Sequence, residues 1–75
     1  MPFYEALRYI LNTATGKARR ESWEPGTFIT RGFKQECMGV VLAQRNEEGK
    51  IGYTAYTAKP NDLVANDWCL VVEVV

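Results

Sequence analysis

Apolar residues fall at Phe3, Ala6, Leu7, Ile10 and Leu11 in the first segment. That i, i+3, i+4, i+7, i+8 spacing predicts one apolar stripe on a helix, and such a stripe ordinarily covers a sheet. Glu5 near its start suits the helix dipole, and Pro2 is tolerated in a first turn. Asn12, Thr13, Thr15 and Gly16 read as a stop and a loop. Lys17 to Trp23 is short and charged, and Glu24-Pro25-Gly26 is a turn signal. Thr27-Phe28-Ile29-Thr30 reads as a strand, and Gly39 to Gln44 as a well-buried one. Arg31 to Met38, between them, is polar and ambiguous. Asn46-Glu47-Glu48-Gly49 reads as a hairpin loop leading into Ile51 to Thr57. Alternation there puts Ile51, Tyr53 and Ala55 on one face and Thr54 and Tyr56 on the other. Lys59-Pro60-Asn61-Asp62 ends that strand, and Asn61 or Asp62 is placed to cap a helical turn over Leu63 to Asn66. Leu70 to Val75 closes the chain as an apolar strand, which must be central or paired across a subunit boundary to escape aggregation.

The order α-β-β-β-β-turn-β with short links predicts an α+β fold. Its parts are a small antiparallel sheet, an N-terminal amphipathic helix and a short helical turn before the C-terminal strand. With no repeat or linker, residues 1–75 read as a single domain.

Composition then removes whole classes. The chain is 47% hydrophobic, and nine Lys/Arg balance nine Asp/Glu, so it is not a disordered tail. No basic stretch suits a nucleic-acid polymer. No apolar run approaches the roughly 20 residues of a membrane helix. No signal-peptide pattern opens the chain, so a cytoplasmic location is expected. Cys37 and Cys69 are expected to be reduced, with Cys69 a small core residue. A core of 75 residues is marginal alone, which points to oligomerisation as reinforcement.

Candidate chemistry is sparse. There is no His, so the commonest general acid–base is missing and neither Cys has an activating partner. A structural metal site has too few good ligands. Gly49 and Gly52 belong to a hairpin, so no phosphate-cradling glycine loop is present. Asp62 and Asp67 suit a carboxylate pair or, more commonly, the fixing of a loop. The expectation is a binding or structural protein, with no enzyme activity, cofactor or metal. Lys17, Arg19 and Arg20 precede Trp23, and two roles stay open. Arg20 bonds a phosphate while Trp23 stacks on a base, or Arg20 forms an ion pair while Trp23 fills the core. Trp68 reads as core.

Three motifs carry a resemblance. Phe3-Tyr4-Glu5-Ala6-Leu7 resembles an F-x-E-A-L opening, Arg20-Glu21-Ser22-Trp23 an R-x-x-W element, and Asp62 to Trp68 a D-L-hydrophobic-A-x-D-W signature. Together they resemble the second type of Thoeris anti-defence protein, a phage family whose homologues include an anti-CRISPR protein. The resemblance implies a sponge. Such proteins hold cyclic-nucleotide immune signals, chiefly glycocyclic ADP-ribose, without cleaving them, and some members also take cyclic dinucleotides at a second site. It implies a homotetramer with pockets at subunit interfaces, working in the cytoplasm of an infected bacterium. Carried onto this chain, it implies ligand-binding roles for Arg20, Trp23, Tyr56, Lys59, Asp62 and Asn66. Asp67 is assigned to capping the turn that positions Trp68. Tyr56 lines the pocket or covers the sheet. Lys59 stands where the family usually has Ser, adding a phosphate contact or blocking the pocket. Gly16 lies seven residues before Trp23 rather than eight, and the middle of the chain, Gly32 to Lys50, is shorter than in many members. Two rivals remain: a protein–protein inhibitor of a defence effector on the same fold, and a structural accessory protein without a ligand.

Overall fold

A computed structural model describes residues 1–13, 15–32 and 39–71. Helix α1 spans Phe3–Asn12. Five strands follow: β1 Lys17–Arg20, β2 Phe28–Arg31, β3 Val40–Arg45, β4 Ile51–Ala55 and β5 Trp68–Leu70, with a short helix α2, Pro60–Val64, before the last. The sheet order is β4-β3-β2-β1-β5, every neighbouring pair antiparallel. The expected α+β class is therefore observed.

Ala6 and Ile10 of α1 are fully buried against Ala18, Ile29 and Trp68, with Phe3 and Leu7 packed at the margin. Leu11 departs from the predicted stripe and is 40% exposed. Successive helical residues lie about 100° apart, so Leu11 falls on the flank once Ile10 faces the sheet. At Gly16 the chain turns closely under α1: a Cβ there would meet Thr13, Tyr9 and Ile10 at 3.1–3.2 Å. The buried Thr30 hydroxyl donates to the Gly16 carbonyl at 2.7 Å.

The charged segment after Gly16 supplies an interior strand. β1 pairs on both sides, with β2 and β5, and buries Ala18 completely. Its long side chains find partners instead of solvent. Lys17 lies over the Phe28 ring, 5.0 Å from its centroid, and the Arg19 guanidinium donates to the Trp23 carbonyl at 2.8 Å. Glu24-Pro25-Gly26 makes the predicted turn. Gly26 has φ 92°, and the Thr27 N–H donates to the Glu24 carbonyl at 3.0 Å. At the β3–β4 hairpin the Asn46 side-chain oxygen accepts from the Glu48 and Lys50 N–H groups at 3.0 and 2.9 Å, and Gly49 takes φ 83°.

Two boundaries move. The strand expected to end at Thr57 ends at Ala55. The helical turn expected over Leu63 to Asn66 begins earlier, with Lys59 as N-cap and Pro60 first, because a proline is preorganised for that position. Neither Asn61 nor Asp62 is the cap. Asp62 lies inside the helix, where its carboxylate accepts from the Lys59 N–H at 3.4 Å.

The last strand is a sheet edge, which removes the central placement, one of the two expected for it. It starts at Trp68 rather than Leu70. The Met1 backbone covers its outer side: the Trp68 N–H donates to the Met1 carbonyl at 3.1 Å, and the Met1 ammonium donates to the Trp68 carbonyl at 2.8 Å. Cys69 is half-buried rather than core, its thiol 3.5 Å from the Arg19 carbonyl. Cys37, most of the ambiguous stretch up to Met38, and the end of the apolar run, Val72 to Val75, lie outside the described residues.

Candidate functional site

A cleft of about 600 Å³ opens between the β1–β2 connection, strands β3 and β4, and α2. Ser22, Trp23, Glu24 and Thr27 come from the first of these, Leu42, Gln44 and Ala55 from β3 and β4, and Tyr56, Thr57, Lys59 and Asp62 from the passage into α2. Three features of the fold place them. The turn at Pro25-Gly26 brings the chain after β1 back along the sheet. The end of β4 at Ala55 releases Tyr56 from the ladder. The early start of α2 at Pro60 sets Lys59 and Asp62 at the same rim.

The aromatic wall is anchored in the core. The Trp23 ring meets Trp68 edge-on at 5.2 Å and Tyr56 edge-on at 6.4 Å, and Phe3 packs against both Trp68 and Tyr56. Trp68 is 1% exposed, and its indole N–H donates to the Asp62 carbonyl at 2.9 Å, so the wall and α2 are joined through one residue. Edge-to-face pairs of this kind add to burial rather than replace it.

Behind the wall runs a polar network. The Arg20 guanidinium donates to both Asp67 carboxylate oxygens, at 3.0 and 3.4 Å, and to Asp62 Oδ1 at 3.2 Å. Asp62, 8% exposed, also accepts from the Tyr56 hydroxyl at 2.8 Å. The hydrogen bond from Arg20 holds the Asp67 carboxyl below its ordinary range, and in return Asp67, then Asp62, raises the Arg20 guanidinium. Burial and then the bond to Asp62 push the Tyr56 phenol well above its usual value. Every buried polar side-chain atom among the described residues has a partner.

Of the predicted ligand residues, Trp23, Tyr56, Lys59 and Asp62 line one cleft. Arg20 stands behind Asp62, paired with carboxylates. Asn66 is exposed, does not line the cleft, and offers its carbonyl to the Met1 ammonium at 3.0 Å. Asp67 fixes the approach to Trp68, but through Arg20 rather than as a helical cap. Sequence reasoning missed the other seven lining residues: Ser22, Glu24, Thr27, Leu42, Gln44, Ala55 and Thr57. Leu42 and Gln44 share a face of β3 by simple alternation, but which face would border a cleft depended on where β4 ended. Among the described residues no group of three acidic, Cys or His side chains could hold a metal ion.

The family model described as Thoeris anti-defense 2-like domain matches residues 1–71. The chain belongs to that family. Membership in the Thoeris anti-defense 2-like family supports a phage role against the Thoeris defence. Comparison with curated proteins and with solved structures yields no match. No helix among the described residues is long and apolar enough to cross a membrane.

Proposed function

We propose that this family member sequesters a cyclic-nucleotide immune signal in the cleft and holds it without cleaving it. The carrying observation is the Trp23–Tyr56 pair, two rings on one wall, with Lys59 on the same lining. Rings of this kind take bases by stacking, and a cation takes phosphate. The volume lies within the ordinary range of small-molecule sites. The lining offers no His or Cys, and Asp62, its buried carboxylate, is engaged by Tyr56 and Arg20 rather than set toward a reacting bond. Glycocyclic ADP-ribose and cyclic dinucleotides are the signals proposed, bound by a homotetramer in the cytoplasm of the infected cell.

A sponge needs affinity and copy number, since it lowers the free signal by mass action. The test is thermal stability against a panel of cyclic nucleotides, with recovery of the bound compound after denaturation. A ligand at about 100 times its Kd adds roughly 2.7 kcal/mol. One compound that raises the melting temperature and is recovered intact supports the reading; a panel without effect overturns it.

A second reading rests on a different observation. All five residues of β4 are exposed, Ile51 and Tyr53 among them, on an outer strand of the sheet. Such an edge suits strand addition by a protein partner, as an inhibitor of a defence effector would require. Indifference to the panel together with tight binding to an effector would favour it.

A further inference from the structure

Arg20 and Lys59 both bear on the cleft, and their surroundings differ. Arg20 is spent within the protein: three guanidinium nitrogens end on the Asp62 and Asp67 carboxylates. A phosphate in the cleft would meet the Asp62 carboxylate, which lines it, whereas Arg20 does not. Lys59 lines the cleft and is exposed, and its ammonium has no carboxylate at ion-pair distance among the described residues. It is the only cation of the cleft lining among those residues.

Nor does the fold call for a cation at that position. Lys59 is the N-cap of α2, where positive charge opposes the helix dipole. Only its backbone serves the helix: the N–H donates to the Asp62 carboxylate, the carbonyl accepts from the Asp62 and Leu63 N–H groups, and any residue but proline supplies both. A locally unfavourable charge with no structural partner is where a functional explanation is warranted.

We infer that Lys59 is the specificity-determining residue of the cleft: its ammonium takes a phosphate of the ligand while the Trp23–Tyr56 wall takes the base, so the site selects nucleotides over nucleosides. Arg20 is a positioning residue, acting on Tyr56 through Asp62. This inference rests on the cleft reading above.

The experiment is calorimetric titration of the full chain and its K59Q variant with glycocyclic ADP-ribose, cyclic di-GMP and adenosine at several salt concentrations. For a nucleotide the wild type binds, K59Q should raise Kd about tenfold, the scale of one charge-assisted hydrogen bond at an open site. Its affinity should also depend less steeply on salt. The unliganded melting temperature should not fall, since the charge removed opposes the helix dipole, and adenosine should bind both proteins equally weakly. Nucleotide affinity and salt dependence unchanged in K59Q would overturn the role of Lys59 and leave the cleft reading standing. So would a loss of affinity with the salt dependence intact, since that would be packing rather than charge. A wild type that binds neither nucleotide would overturn both.

Discussion

Around β1 and β5 the sheet lies under α1, and its buried residues interlock: Ala6, Ile10, Ala18, Ile29 and Trp68 are at most 1% exposed. Around β4 nothing described covers the strand, and all five residues are open to solvent. The cleft lies at the boundary, with Trp23, Tyr56 and Asp62 tied to the first region and Gln44 and Ala55 supplied by the second. What the contrast teaches is that the two walls answer differently to substitution. A change on the anchored wall reaches the core through Trp68, so fold and site fail together. A change on the hairpin wall reaches only the surface.

The largest expected effect is therefore at Trp68. W68A should cost about 3–5 kcal/mol, the usual range for a buried aromatic reduced to Ala. In a domain this small that is most of the stability. Urea denaturation followed by circular dichroism should find it largely unfolded in buffer. A cooperative transition near the wild-type midpoint would mean the anchored region is not the core.

Gly16 comes next. Its Cβ would meet Tyr9 and Thr13 side-chain atoms and the Ile10 backbone at 3.1–3.2 Å. G16A should cost about 1–3 kcal/mol by overpacking the α1–β1 contact, read as a lower urea midpoint with the slope unchanged. Tyr56→Phe should cost less, about 1–2 kcal/mol, by removing the hydroxyl bond to the Asp62 carboxylate. It keeps the ring, so nucleotide binding should survive in part.

Acid titration sharpens the same contrast. Arg20 depresses the Asp67 carboxyl below its ordinary value of 3.8. A depressed folded-state pKa contributes stability that is present above the ordinary value and lost as pH falls toward the lowered one. Melting temperature should fall with acid from roughly pH 4 downward. D67N should fall less steeply, so the gap between the two proteins closes at low pH. A gap constant with pH would remove the ion pair from the stability of the anchored end.

Much of this was legible in the chain. The helical stripe, the Glu24-Pro25-Gly26 turn and the Asn46–Gly49 hairpin are local, and local chemistry fixes them. Trp23, Tyr56, Lys59 and Asp62 cluster as the resemblance implied, whereas Arg20 takes the other role left open for it, an ion pair. Its two carboxylate partners lie 42 and 47 residues away in sequence, and only the β1–β5 pairing brings Asp67 to it. β1 itself was obscured because its long cations mask a single buried Ala18. The edge position of β5 was also hidden. An apolar run signals burial, but here a three-residue strand is shielded from its outer side by the Met1 backbone.

The smallest expected effect tests the open end. Ile51 is 40% exposed on β4, and in a lone chain Ile51→Thr should shift stability by no more than about 0.5 kcal/mol. Threonine keeps the β-branch, so strand propensity is nearly constant and the change isolates apolar contact. The informative control is mass in solution, measured on the same samples. If I51T leaves both stability and mass unchanged, no second copy covers β4 and the contrast between the two ends holds in the assembled protein. If it lowers the melting temperature in proportion to a fall in oligomer mass, a second copy covers β4. The hairpin wall of the cleft would then be as anchored as the other, held by assembly rather than by the core.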